Sequence, residues 1–232
     1  MIELAGIVLK SEDTTRLNGC QLSIRSGEVV GLIGRTGTGK TSLLKVCAGR
    51  VSPTRGQIRM DGRDVSRQIH RLRSAAGYLD KEIPGPHDLP VKEWLNFWAE
   101  MSGISSRERG DVISRSCGRF GALIGDRVVS SLSDGELKRL NLARIWIQSP
   151  RFFVLDSPSR DLDGEGLGRL STAIEEASAS GVTVLFSDSN PHLPVSVCDR
   201  VVVVADGRIT AELSRADPQF EAMIASAQGW AQ

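Results

Sequence analysis

G-R-T-G-T-G-K-T, Gly34 to Thr41, fits the pattern G-x-x-x-x-G-K-[ST] of a phosphate-binding loop. Gly34, Gly37 and Gly39 allow turns that a Cβ would block, so successive backbone N–H groups point inward at phosphate oxygens. Lys40 supplies a point charge for the β- and γ-phosphates, and the Thr41 hydroxyl is a Mg²⁺ ligand. Arg35, Thr36 and Thr38 fill the variable positions and Ser42 follows, so Gly34 to Ser42 are the expected nucleotide contacts. Val29 to Gly34 is a short apolar strand. Thr41 to Gly49 has helical apolar spacing and ends at a glycine. A helix N-terminus aimed at the loop adds its dipole to anion binding. The competing reading is a glycine-rich turn carrying a surface lysine, and the strand and helix on either side weigh against it.

The chain has 232 residues and 40% hydrophobic content, enough for one sizeable core. A net charge of +1 gives no global pull toward nucleic acid or an anionic membrane. Cys20, Cys47, Cys117 and Cys198 form no C-x-x-C pair and read as buried thiols in a reducing compartment. No apolar run reaches the length of a membrane span, and M-I-E-L-A-G-I-V-L lacks the basic start of a signal peptide. The expected location is the cytoplasm, with any membrane role exercised through a partner.

Strands are expected over Ile2 to Leu9, Cys20 to Ile24 and Gln57 to Met60, with turns at Ser26 to Glu28 and Asp61-Gly62. Three prolines make Ile83 to Pro90 a loop. From Val91 to about Ile147 the pattern turns helical, with Trp94, Leu95, Phe97, Trp98 and Met101 as one apolar face. Leu137, Leu140, Ala143 and Ile147 form another. Phe152 to Leu155, Val182 to Phe186, Val201 to Ala205 and Arg208 to Ala211 read as strands, Gly166 to Ala179 and the tail from Ala216 to Gln232 as helices. Strands alternating with helices in the second half indicate an α/β fold with a parallel sheet.

L-S-D-G-E (Leu132 to Glu136) runs straight into L-K-R-L-N-L-A-R (Leu137 to Arg144). R-F-F-V-L-D-S-P (Arg151 to Pro158), R-D-L-D (Arg160 to Asp163) and D-R-V-V-V-V-A-D-G-R-I (Asp199 to Ile209) follow. In this order they resemble the signature, the signature helix, the Walker B strand, the D-loop and the closing hairpin of the ATPase subunit of ABC transporters. The resemblance covers nearly the whole chain. It implies a P-loop NTPase of the ABC type, a single domain over 1–232 with a RecA-like parallel-sheet core and an N-terminal antiparallel β-subdomain. The core would take roughly 1–88 and 148–232, and an inserted α-helical subdomain roughly 89–147. It also implies ATP and Mg²⁺ as cofactors and a head-to-tail sandwich. The loop, with Thr41 and Asp156 on the metal, would face the partner's signature. In that signature Leu132, Ser133, Asp134, Gly135 and Glu136 form a helix start able to offer a hydroxyl and N–H groups to a γ-phosphate. Taken alone, L-S-D-G-E also reads as an ordinary N-cap by Ser133 or Asp134. Asp161, Leu162 and Asp163 stand in the D-loop.

Several positions depart from the family pattern. Ser157 stands where the family has the glutamate that polarises water, and a hydroxyl is a poor general base. Ser189 stands at the switch histidine, with His192 three residues later as a solvated loop residue or a substitute that swings back. Lys81 stands at the glutamine of the Q-loop, where a protonated lysine cannot ligate a metal. It either contacts phosphate or is exposed. Asp134 replaces a glycine and puts a carboxylate near the signature cap. No adenine-stacking aromatic stands at Leu9 to Glu12, and Lys10 is the nearest substitute.

The phosphate cradle is thus intact while the water-activating groups are altered. The reading is an ATP-binding subunit with weak or absent hydrolysis at its own site. A second ABC ATPase subunit is the expected partner, with a hetero-dimer favoured and a homodimer as the alternative, together with an integral membrane permease. Leu89 to Ser105 resembles the start of the helical subdomain in exporters. Trp94 and Trp98, one turn apart, are either core or an aromatic docking patch. Arg63, Arg67, Arg71 and Arg73 read as a solvated basic face. Two alternatives stand beside this: a non-hydrolysing regulatory scaffold, and a soluble ABC protein acting on nucleic acid or ribosomes. The second is disfavoured by the single cassette and the absence of zinc hooks or heptads, and no nucleic-acid partner is expected.

Overall fold

The run Val29–Ile33, all five residues apolar and buried except that Gly31 has no side chain, is the centre of the computed structural model. The structure describes residues 1–11 and 14–228. Glu12, at the end of the stretch scanned for an adenine-stacking aromatic, and 229–232 of the expected tail helix lie outside the described residues. Val29–Ile33 is β3, and it pairs in parallel with β8 (Thr183–Ser187) on one side and β9 (Arg200–Ala205) on the other. β7 (Phe152–Asp156) and β6 (Ala76–Leu79) continue the parallel order, and β10 (Arg208–Ser214) closes the far edge antiparallel to β9.

Strand alternation explains why these runs are apolar throughout. Val29, Ile33, Val184, Phe186, Phe153 and Leu155 face one core, and Val30, Leu32, Leu185, Phe152 and Val154 face another. Both faces of the sheet are covered, so both sets must be hydrophobic. The second core is closed by α1 (Lys40–Cys47) and by an antiparallel sheet. That sheet has the order β2-β1-β4-β5, with β1 Ile2–Ser11, β2 Thr14–Ile24, β4 Arg55–Met60 and β5 Arg63–Asp64. The first core is closed by α3 (Val91–Met101), α4 (Ser106–Phe120), α5 (Asp134–Ile147) and α6 (Gly164–Ala179). Trp146 anchors the helices to the sheet. Its ring stacks on Phe153 at a centroid distance of 4.0 Å and meets the edge of Phe120 at 4.8 Å.

The expected apolar face of α3 needs correction. Phe97 and Met101 are exposed, at 39% and 68%, and the buried face is Val91, Trp94, Leu95 and Ala99. Trp94 and Trp98 pack edge to face, and Arg144 lies over the Trp98 ring at 5.0 Å, so this pair takes the core reading. Arg144 is itself buried, donating to Asn141 and to the Tyr78 carbonyl. Two elements carried no strong sequence signal. The short helix α2 (Ile69–Ala75) takes up part of the basic stretch, with Arg73 donating to the Gly49 carbonyl, and β6 follows it directly. All four cysteines are buried and free. Among the described residues no helix is long and apolar enough to cross a membrane.

Candidate functional site

The chain leaves β3 at Gly34, which takes φ 140°, and a Cβ there would lie 2.2 Å from the Val204 carbonyl oxygen. Gly39, at φ 110°, precedes α1, and its Cβ would lie 2.8 Å from the Arg16 carbonyl. The loop is therefore pinned between the end of β9 and β2, and only glycine fits at either point. Thr38 Oγ1 and Lys40 Nζ both reach the Arg35 carbonyl, at 2.8 and 2.7 Å, and Lys40 also donates to Gly34 at 2.6 Å. Burial lowers the Lys40 pKa, Asp156 opposes that shift, and the charge of Lys81 adds to it. α1 begins with no acidic residue in its first turn and no side-chain cap, so its first N–H groups stay free to face the loop.

Beside the loop opens a cleft of about 530 Å³. Gly34, Thr36, Gly37, Gly39, Lys40, Thr41 and Ser42 line it, together with Lys81, Asp156, Ser157 and Ser189. The structure thus brings together most of the residues singled out in the sequence, from four separate segments. Arg35 and Thr38 shape the loop from outside the cleft wall.

Asp156 ends β7 opposite Ser187, which ends β8. It is 1% exposed. Ser187 Oγ donates to its Oδ1 at 3.1 Å and Ser157 Oγ stands at 3.4 Å, while Oδ2 is buried with no partner among the described residues. A buried carboxylate oxygen left without a donor, across the cleft from the Thr41 hydroxyl, is a donor set suited to a hard divalent cation. Magnesium therefore fits the residues present.

Ser157 sits at φ 53°, its N–H donating to the Ser187 carbonyl at 2.8 Å and its own carbonyl accepting from Lys138 at 3.2 Å. Lys138, on the signature helix, is buried, and that burial lowers its pKa against the raising effect of Asp161 and Asp188. His192 is not in a loop. It opens the six-residue helix α7 (His192–Val197), is exposed, and does not line the cleft. The Pro191 before it fits the first turn of a helix, which is why a loop reading failed.

Four polar lining residues, Arg16, Arg160, Ser187 and Asp188, were not assigned to the nucleotide site in the sequence. Arg16 lines the cleft and Lys10 does not, because β2 rather than β1 passes beside Gly39. Arg160 and Ser187 follow from the ends of β7 and β8. Asp188 accepts from Ser159 N (2.9 Å), Ser159 Oγ (2.6 Å) and Asn190 N (2.8 Å), tying the segments after β7 and β8 together. An acidic residue next to the switch position was the only available signal for it.

The signature stands away from the cleft of its own chain. Leu132 is buried, and Ser133 caps α5 through a capping box with Glu136. The Glu136 carboxylate accepts from Ser133 N at 2.8 Å and from Arg127 at 2.7 Å, and this Arg127 pairing draws its pKa down to about 2. Asp134 is exposed. A Cβ on Gly135 would meet the Asp161 carbonyl at 3.0 Å, so the R-D-L-D turn packs against the signature. Leu162 is partly buried there, and Asp163 caps α6 by accepting from Gly166 N at 2.7 Å.

Residues 17–160 match the family model described as ABC transporter. The chain belongs to the ABC transporter ATP-binding family. The phosphate import ATP-binding protein PstB 2 of Natronomonas pharaonis is 31% identical over 222 residues, covering 90% of this chain and 78% of that protein. The lipopolysaccharide export system ATP-binding protein LptB of Escherichia coli (strain K12) is 32% identical over 194 residues, 82% of this chain and 80% of its own. Among solved structures, a dimeric bacterial ABC transporter cassette superposes with a TM-score of 0.85 at 19% identity. It covers 94% of this chain and all of its own. That level of identity shows the ABC fold, with its mixed antiparallel and parallel sheets, and nothing finer.

Proposed function

We propose that this chain is the ATP-binding subunit of an ABC transporter whose own site binds ATP–Mg²⁺ and hydrolyses it weakly or not at all. The observation that carries the reading is the pairing of an intact phosphate cradle with a cleft lacking a free base. Its lining residues include two carboxylates and no histidine. Asp188 already holds three donors, and the free oxygen of Asp156 faces the metal position. Ser157 and Ser189 offer only hydroxyls. Loss of a positioned base typically lowers a rate by about 10²–10⁴.

The backbone N–H groups of Gly34 to Thr41 and the Lys40 ammonium hold the triphosphate, and Thr41 and Asp156 hold Mg²⁺. When bound, the metal supplies charge neutralisation at the β- and γ-phosphates. Ser133 to Glu136 lie on the outer face of the helical region, where they are free to meet a second cassette. For Ser133 to reach a phosphate its hydroxyl must leave Glu136, so signature binding competes with the capping box. Two impaired sites in a homodimer favour a hetero-dimer, docked on a membrane permease through residues 89–147 as the inserted helical subdomain. Export is favoured by the likeness of Leu89 to Ser105 to exporters, although the relatives named above serve both directions.

The test is ATP hydrolysis by the purified chain alongside thermal stabilisation by ATP–Mg²⁺. Ligand at about a hundred times its dissociation constant stabilises a fold by ~2.7 kcal/mol. Stabilisation without turnover is the expected result, and robust turnover by the chain alone overturns the weak-hydrolysis reading.

A further inference from the structure

We propose that Lys81 is a second phosphate-binding ammonium, one that takes over part of the charge neutralisation of a divalent cation and lets this chain bind nucleotide without metal. The inference rests on the ATP-binding reading above and adds to it a residue and a metal dependence.

Four cationic side chains line the cleft: Arg16, Lys40, Lys81 and Arg160. Among the described residues only Arg160 of these has an ion-pair partner, Asp161 at 3.7 Å. The two lining carboxylates, Asp156 and Asp188, are outnumbered by these four cations. Lys40 spends two of its three donors on the Gly34 and Arg35 carbonyls. Lys81 makes no such contact. Of the two carboxylates that flank it in sequence, Asp80 accepts from the Lys81 backbone N–H at 2.8 Å, and among the described residues neither Asp80 nor Glu82 pairs with the ammonium.

Lys81 and Lys40 both line the cleft, and among the described residues no carboxylate forms an ion pair with either ammonium. Two like charges converging on an open cleft destabilise it until an anion arrives. A triphosphate is that anion, and each lysine then gains a charge-assisted hydrogen bond. The position also explains why lysine serves here. A side chain that repels a cation cannot act as a metal ligand, but it can occupy the same side of the phosphates and supply positive charge of its own.

The experiment is calorimetric titration of ATP into the full chain, once with Mg²⁺ and once with EDTA, for the wild type and Lys81→Gln. The wild type is expected to retain binding in EDTA, within about tenfold of its affinity with Mg²⁺. Lys81→Gln is expected to bind about tenfold more weakly in EDTA, as for loss of one charged hydrogen bond, with a smaller change in Mg²⁺. Lys81 is exposed, so folding is expected to be intact, which an unchanged Tm without ligand confirms. Equal affinities of the two proteins in EDTA overturn the role of Lys81. Absence of ATP binding by the wild type in both buffers overturns the nucleotide-binding reading itself.

Discussion

Ser187 Oγ donates to Asp156 Oδ1 at 3.1 Å, with Ser157 Oγ beyond it at 3.4 Å, and among the described residues the other carboxylate oxygen has no donor. Asp156 and Ser187 are partners in the β7–β8 register, so the sheet itself aims Oδ2 at the cleft. An unsatisfied buried polar atom costs about 1–3 kcal/mol, a strain that a functional site can carry. Asp156→Asn keeps the Ser187 contact and leaves an unpaired NH₂ in place of Oδ2, but it removes a buried charge, which costs more to desolvate than an amide. It is expected to raise the stability of the ligand-free chain by about 1 kcal/mol in urea denaturation and to abolish the extra stabilisation that Mg²⁺ gives with ATP. A less stable ligand-free variant would show that Oδ2 is satisfied in solution.

Ser157 already holds a non-glycine side chain at φ 53°, a left-handed conformation that costs about 1 kcal/mol. Ser157→Gly is therefore expected to stabilise the fold by up to ~1 kcal/mol. Ser157→Glu inherits the strain that serine carries, so it should fold. Combined with Ser189→His, which enters the same cleft, it is expected to raise ATP hydrolysis by about 10²-fold or more in the presence of the partner cassette. A double variant that folds and binds ATP but stays at background turnover would remove Ser157 and Ser189 from the explanation.

Glu136 gives the N-terminus of α5 an acid-sensitive cap. The Arg127 pair and the Ser133 N–H hold its folded pKa at about 2, below the ordinary 4.5. A depressed carboxylate stabilises the fold above its unfolded pKa, and that contribution is lost as pH falls through the folded value. The window thus runs from about 4.5 down to about 2. Glu136→Gln keeps the capping box but has no charge to lose. The stability gap between wild type and variant should be constant at neutral pH and close across that window. A gap that persists at pH 2 would mean the pair is not formed.

The phosphate loop and Walker B strand were legible because their chemistry is local: glycines at forced turns, a lysine, and an apolar run ending in aspartate. Ser157, Ser189 and Lys81 were placed in the cleft by motif order alone. Arg16 was not, since what brings it there is the packing of β2 beside Gly39 and Gly207, a contact between distant segments with no periodic trace. Phe97 and Met101 were misplaced because apolar spacing marks a wide stripe, and tertiary packing decides which part of it is covered. The short α7 escaped because three hydrophobic residues beyond Pro191 fit a loop as well as a helix. Ser133 satisfied both of its readings locally, and only the Glu136 contact shows which one the isolated chain adopts.

Asp188 supports a prediction that separates charge from shape. Its Oδ2 accepts the Ser159 N–H, while Oδ1 accepts the Ser159 hydroxyl and the Asn190 N–H. Every partner is a donor, and Ser159 is buried at 7% exposure. Asparagine is nearly the same shape but replaces one acceptor with an NH₂ group. In either amide orientation that group faces a backbone N–H, that of Ser159 in one and that of Asn190 in the other. Asp188→Asn is therefore not conservative. It is expected to destabilise the chain by about 1–3 kcal/mol, close to the effect of Asp188→Ala, because a buried donor is left unpaired in both. It should also weaken ATP binding, since the clasp holds the two segments that carry Ser157 and Ser189 into the cleft lining. Urea denaturation of the two variants decides the point. An asparagine variant as stable as the wild type would show that the segments after β7 and β8 are held together without Asp188.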